Sequence, residues 1–91
     1  MSAALGFTVV ELPTVLGLNE AAPLCAQLRA LRGQPVKIEA SQVERIGGLC
    51  LQVLLSARKT WALDGVPLAI ANSSVAFKEA VALLGASSIT T

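Results

Sequence analysis

The same stop signal occurs twice in this chain, and it dictates the architecture. Arg32-Gly33-Gln34-Pro35 and Asp64-Gly65-Val66-Pro67 each set a glycine and then, two positions on, a proline. Glycine takes the left-handed backbone that ends a helix, and proline cannot continue one, so each block closes a helix before an extended segment. Upstream of the first block, Leu24, Leu28 and Leu31 recur at i, i+4 and i+7, the stripe of a core-facing helix. Asn19 is placed to cap that helix and Glu20 suits its positive end. Pro23 then falls in the first turn, where proline is tolerated. Upstream of the second block, Leu51, Leu54, Leu55, Arg58 and Ala62 trace one helical face, and Val53, Ala57 and Trp61 another. A helix apolar on two sides is either deeply buried or partnered.

Each block hands over to a strand. Val36-Lys37-Ile38-Glu39-Ala40 alternates with period two, and Val66-Pro67-Leu68-Ala69-Ile70-Ala71 is continuously apolar, as for a strand covered on both faces. Phe7-Thr8-Val9-Val10-Glu11-Leu12 reads as a further strand ended by Pro13, with a short second strand at Val15–Leu18. A last helix begins near Asn72-Ser73-Ser74, turns Phe77, Val81 and Leu84 inward and is closed by Gly85, with a loose tail over Ser87–Thr91. Strands alternating with helices imply crossovers, hence an α/β fold with helices packed on a sheet, in the order β(β)αβαβα. The 91 residues make a single domain, 1–91, with its core over about 6–86.

Residue usage narrows the function. There is no His, no Tyr and a single Asp, Asp64. The common metal centres and a Ser-His-Asp hydrolase therefore cannot be assembled, and no enzyme, metal or cofactor is expected. A net charge of +1 leaves little basic excess for nucleic acid, and Arg29, Arg32, Arg58 and Lys59 are too sparse for a binding stripe. Cys25 and Cys50 have neither the spacing of a redox pair nor that of a zinc half-site, and both sit among apolar neighbours. No run is long enough to span a membrane, and Met1 to Val10 carries no positive charge and meets Glu11 too early for a secretory signal. The expected location is the cytoplasm, without membrane insertion.

The stretch from Ile38 to Leu55, with Val43, Ile46, Gly47-Gly48-Leu49-Cys50 and the apolar helix start Leu51-Gln52-Val53-Leu54-Leu55, resembles the STAS family, the sulfate-transporter and anti-sigma-factor-antagonist domain. Asp64 to Ser73 and Leu83-Leu84-Gly85 are similar to the family's closing strand, turn and final Leu-Gly. The resemblance covers about residues 6–86 and implies a STAS-like mixed sheet. The departure from the pattern is informative. Aligned on Val43 and Leu51, the family's Asp falls on Gly47, its phosphorylatable Ser on Gly48, its following Ser/Thr on Leu49 and its Gly on Cys50. In regulated members, phosphorylation of that serine disfavours docking by repulsion and desolvation. Gly48 has no hydroxyl, and neither Ser41 nor Ser56 replaces it without shifting the frame.

The resemblance implies a docking surface at the loop and helix start, comprising Glu44, Arg45, Gly47, Gly48, Leu49, Cys50 and Gln52. Other readings stand beside it. Gly47-Gly48 also fits a tight strand-to-helix turn or an anion cradle, although no Lys follows as in a phosphate loop. Glu44 and Arg45 are solvated loop charges or the polar rim of an interface, and Trp61 is a core clamp or an interface anchor. The expected function is a non-enzymatic regulatory module docking a histidine-kinase-type or anti-sigma-kinase-type partner, as in small chemotaxis-associated bacterial members of the family. The alternative is an accessory STAS subunit of an ABC-type lipid-transport complex, binding its ATPase. A homodimer is left open. A thiol enzyme using Cys50 at a helix start is a third class, resting on a favoured thiolate there.

Overall fold

Two parallel sheets order the chain in the computed structural model, which describes residues 7–83. Strand β1 (Thr8–Glu11) pairs with β3 (Val36–Glu39), and β3 pairs with β5 (Leu68–Ala71), giving a sheet in the order β1-β3-β5. A separate two-residue ladder joins β2 (Val15–Leu16) to β4 (Arg45–Ile46). Helices α1 (Leu18–Ala30), α2 (Gly48–Asp64) and α3 (Val75–Leu83) lie between or after these strands. Every ladder among the described residues is parallel. The α/β class and the expected alternation hold, with β4 as an element the sequence did not signal. Leu84, Gly85, the tail and residues 1–6 lie outside the described residues.

The alternation in β3 works as expected. Val36 and Ile38 are fully buried, while Lys37 and Glu39 are only half-buried on the other side. Strand β5 differs: it is an edge strand, its residues half-buried and Ala69 exposed, so its continuous apolar run is not covered on both faces. Sheet order decides this, because β3 takes the central place that the apolar run would otherwise suit.

Helix α1 starts two residues earlier than Asn19 suggests. Gly17 is its N-cap, with extended backbone, and Glu20 Oε1 accepts the Gly17 N–H at 2.8 Å. Pro23 is consequently interior, removing the bond its N–H would have given to the Asn19 carbonyl. Both residues are exposed, where water can satisfy that carbonyl. Leu24 and Leu28 are buried as the stripe requires, and Leu31 is the half-buried C-cap.

Helix α2 buries a single stripe, Cys50, Leu54, Ala57 and Trp61 with Leu51, rather than the two separate faces the sequence suggests. It ends as its stop block predicts. Gly65 takes the left-handed conformation (φ 71°), with its N–H on the Ala62 carbonyl and that of Val66 on the Trp61 carbonyl. The two stop blocks meet in space. Trp61 Nε1 donates to the Gln34 carbonyl at 2.7 Å, and Arg32 grips Asp64 through two hydrogen bonds of 3.0 and 3.3 Å. The guanidinium holds the Asp64 carboxyl below its ordinary pKa. That contribution is present at neutral pH and fades as acid protonates the carboxylate; because the pair is exposed, it is small. Trp61 is only 3% exposed, which makes it a clamp between α2 and the first stop block.

One hydroxyl anchors α3. Ser74 Oγ caps the helix by accepting the Phe77 N–H at 3.0 Å, and donates to the Val43 carbonyl at 2.6 Å. Phe77 and Val81 are buried behind it. The turn before α3 holds Asn72 at φ 53°, a conformation asparagine tolerates, with its amide donating to Glu39 Oε2.

Candidate functional site

The β2–β4 ladder exists to set two helix starts side by side. Thr14 O accepts the N–H groups of Glu44 (2.7 Å) and Arg45 (3.0 Å), and Leu16 O accepts that of Gly47 (2.9 Å). Each strand then passes through one extended glycine directly into a helix: β2 through Gly17 into α1, and β4 through Gly47 into α2. The Cys50 thiol donates to the Gly17 carbonyl at 3.4 Å and ties the two starts together. The same end of the helix pair therefore carries Leu18, adjoining Gly17, and Leu49, adjoining Cys50. Both are exposed, at 77% and 53%, as is Val15 on β2, the register partner of Arg45.

Six of the residues expected at a docking surface, Glu44, Arg45, Gly47, Gly48, Leu49 and Gln52, are exposed here. Cys50 is not: it is 1% exposed, its side chain turned into the core beside Leu51 and Leu54, and it leaves the set. Position in sequence misplaced it, because the second and third residues of a helix point to different sides. Arg45 is not a loop residue, since it belongs to β4. Val15 and Leu18 were missed altogether. Their signal is the likeness of Leu16-Gly17-Leu18 to Ile46-Gly47-Gly48-Leu49, an apolar residue, glycine and then leucine at a helix start, visible only once the two strands are paired.

The two glycines have distinct properties. A Cβ on Gly47 would lie 3.6 Å from the Leu16 carbonyl, an ordinary contact. One on Gly48 would meet nothing within 4 Å, and Gly48 is not in the left-handed region. Gly48 is thus an opening in the surface, and a tight-turn requirement does not explain it. The first turn of α2 holds no acidic residue, whereas Glu20 occupies the corresponding place in α1.

Burial, and secondarily Glu20, push the Cys50 thiol above its ordinary pKa. The thiol enzyme reading loses the favoured thiolate on which it rested. Timed alkylation of the native protein should therefore modify Cys25, which is half-buried, well before Cys50, which should react at the free-thiol rate only in denaturant. Intact and peptide masses report the order. Equal native rates at the two cysteines would show that Cys50 is not held in the core.

No helix among the described residues is long and apolar enough to cross a membrane. A search among curated proteins finds no match. A family model described as "Mlab, STAS domain" matches residues 2–91. Its span takes in both sheets, all three helices and the paired helix starts, and with it this chain belongs to the STAS domain family.

Proposed function

We propose that the protein is a non-enzymatic regulatory docking module whose paired helix starts seat a kinase-type partner, of the histidine-kinase or anti-sigma-kinase class, without a serine phosphoswitch. Membership of a family whose domains commonly mediate protein–protein interaction in signalling supports a docking role. The observation that carries the reading is the grouping of exposed Val15, Leu18 and Leu49 at one end of the helix pair. Large apolar side chains cost least when such a group is covered by a partner. Glu44 and Arg45 supply the charged rim that interfaces commonly have, and Gly48 leaves the centre open. With glycine in place of an acceptor hydroxyl, docking here is constitutive and regulation belongs to the partner or to its abundance.

The test is affinity capture from native lysate with wild type and with Leu49→Asp, followed by titration of the purified partner. A kinase-type partner held by wild type and lost by Leu49→Asp, with both proteins folded by thermal melt, is the expected outcome. Capture of an ABC-type ATPase subunit through the same residues would assign the patch to a transport complex instead. The purified protein should turn over no ATP above a buffer blank, and robust turnover by a sample free of contaminating ATPase would end the non-enzymatic reading.

A further inference from the structure

Running from the start of α2 along its length, α1 and α2 enclose an open trough of about 400 Å³. Buried Leu28, Ala57 and Trp61 contribute to its floor. Along α2 the lining recurs as Leu49, Gln52, Val53, Ser56, Ala57, Thr60 and Trp61, an unbroken i, i+3, i+4, i+7 stripe. At 1.5 Å per residue it runs for about 18 Å. The α1 wall carries Arg29 and Arg32, of which Arg32 is paired with Asp64, and no carboxylate is among the lining residues.

We propose that this trough is a docking site for an amphipathic helix of a partner protein whose apolar stripe is flanked by acidic residues. Shape and charge both favour that occupant. A stripe more than three turns long matches a third helix laid along two others, which presents its anchors at the same i, i+3, i+4, i+7 spacing. Arg32 is already met by Asp64, but the Arg29 guanidinium has no carboxylate in the lining beside it and complements a glutamate flanking the apolar stripe, and Gln52, Ser56 and Thr60 offer neutral hydrogen-bonding groups along α2. The trough shares Leu49 and Gln52 with the patch at the helix starts, so Ser56→Glu and Gly48→Asp, rather than Leu49→Asp, tell the two apart.

The probe is a displayed library of helices about 16 residues long, enough to span the trough. Leucine is fixed along one stripe, flanking positions are drawn equally from Glu, Gln and Lys, and selection is against the intact protein. Glutamate should be enriched at the flanks. The selected helix should lose at least about tenfold in affinity on Ser56→Glu and on Arg29→Glu, both exposed positions where the fold is undisturbed, and none on Gly48→Asp. Reselection against Arg29→Glu should shift the flanks towards lysine. Several results would overturn the proposal: no enrichment over bare support, lysine enrichment on wild type, or equal affinity for Ser56→Glu. A helix lost on Gly48→Asp but retained on Ser56→Glu would be docking at the helix starts and would also overturn it. So would a wild-type dimer, seen by sedimentation, that Ser56→Glu dissociates.

Discussion

Trp61→Ala should destabilise the fold by about 3–5 kcal/mol, the range for removing a large buried aromatic. For a chain of this length total stability is about 5–14 kcal/mol, so the variant would sit near the edge of folding. The loss has two parts. The ring is buried at the end of the α2 stripe, and its removal leaves a cavity between α2 and the first stop block. The Nε1 hydrogen bond to the Gln34 carbonyl also disappears. Trp61→Phe separates the parts, because it keeps most of the packing and forfeits the bond. It should cost much less, about 0.5–1.5 kcal/mol plus a small packing term, since water can reach exposed Gln34. Urea melts followed by far-ultraviolet circular dichroism are the suitable measurement, as the only tryptophan is the residue being changed. Similar losses for both substitutions would mean that the hydrogen bond, and not the ring, holds α2 to the first stop block.

Gly48→Asp should separate folding from binding. The position is open, its backbone is unstrained, and the first turn of α2 lacks an acidic residue to complement the helix dipole. An aspartate there should leave the melting temperature unchanged or raise it, the dipole term being worth about 0.3–1 kcal/mol. Partner affinity should fall roughly 10- to 150-fold, about 1.5–3 kcal/mol, because the charge would be desolvated without a counter-ion inside the docking surface. Gly48→Ser should bind almost as wild type and offer a kinase an acceptor hydroxyl. Titration of both variants against the captured partner, with melts as control, gives the answer. Equal affinity for Gly48→Asp and wild type would place the partner elsewhere and remove the helix starts as its seat.

What could be read in the sequence depended on how many residues carried the signal. The stop blocks, the α1 stripe and the alternation of β3 each repeat a chemical choice several times, and the structure follows them. Strand β4 is two residues long, Arg45 and Ile46, too short for any alternation to register. Its existence depends on Thr14 and Leu16 carbonyls from another part of the chain. Asn19 outranks Gly17 as a cap by side-chain chemistry, yet Glu20 serves the N–H of Gly17 and the helix begins there. At the candidate site, the family likeness located the α2 half and was blind to Val15 and Leu18, which reach it only through strand pairing. Cys50 shows the opposite error, a residue adjacent in sequence to the surface and directed away from it.

The parallel ladders have a consequence for how the surface comes into being. Between Val15 and its partner Arg45 runs all of α1, and between Val36 and its partner Leu68 runs all of α2. No hairpin among the described residues offers a local beginning, so each of these pairings waits on the closure of a long crossover, an arrangement associated with slower, cooperative assembly. The patch formed by Val15, Leu18 and Leu49 has no partial version: an excised segment around Gly48 would carry one of its three residues and none of the ladder that aligns them. For a cell, a docking surface at this patch would therefore also report that this chain has finished folding.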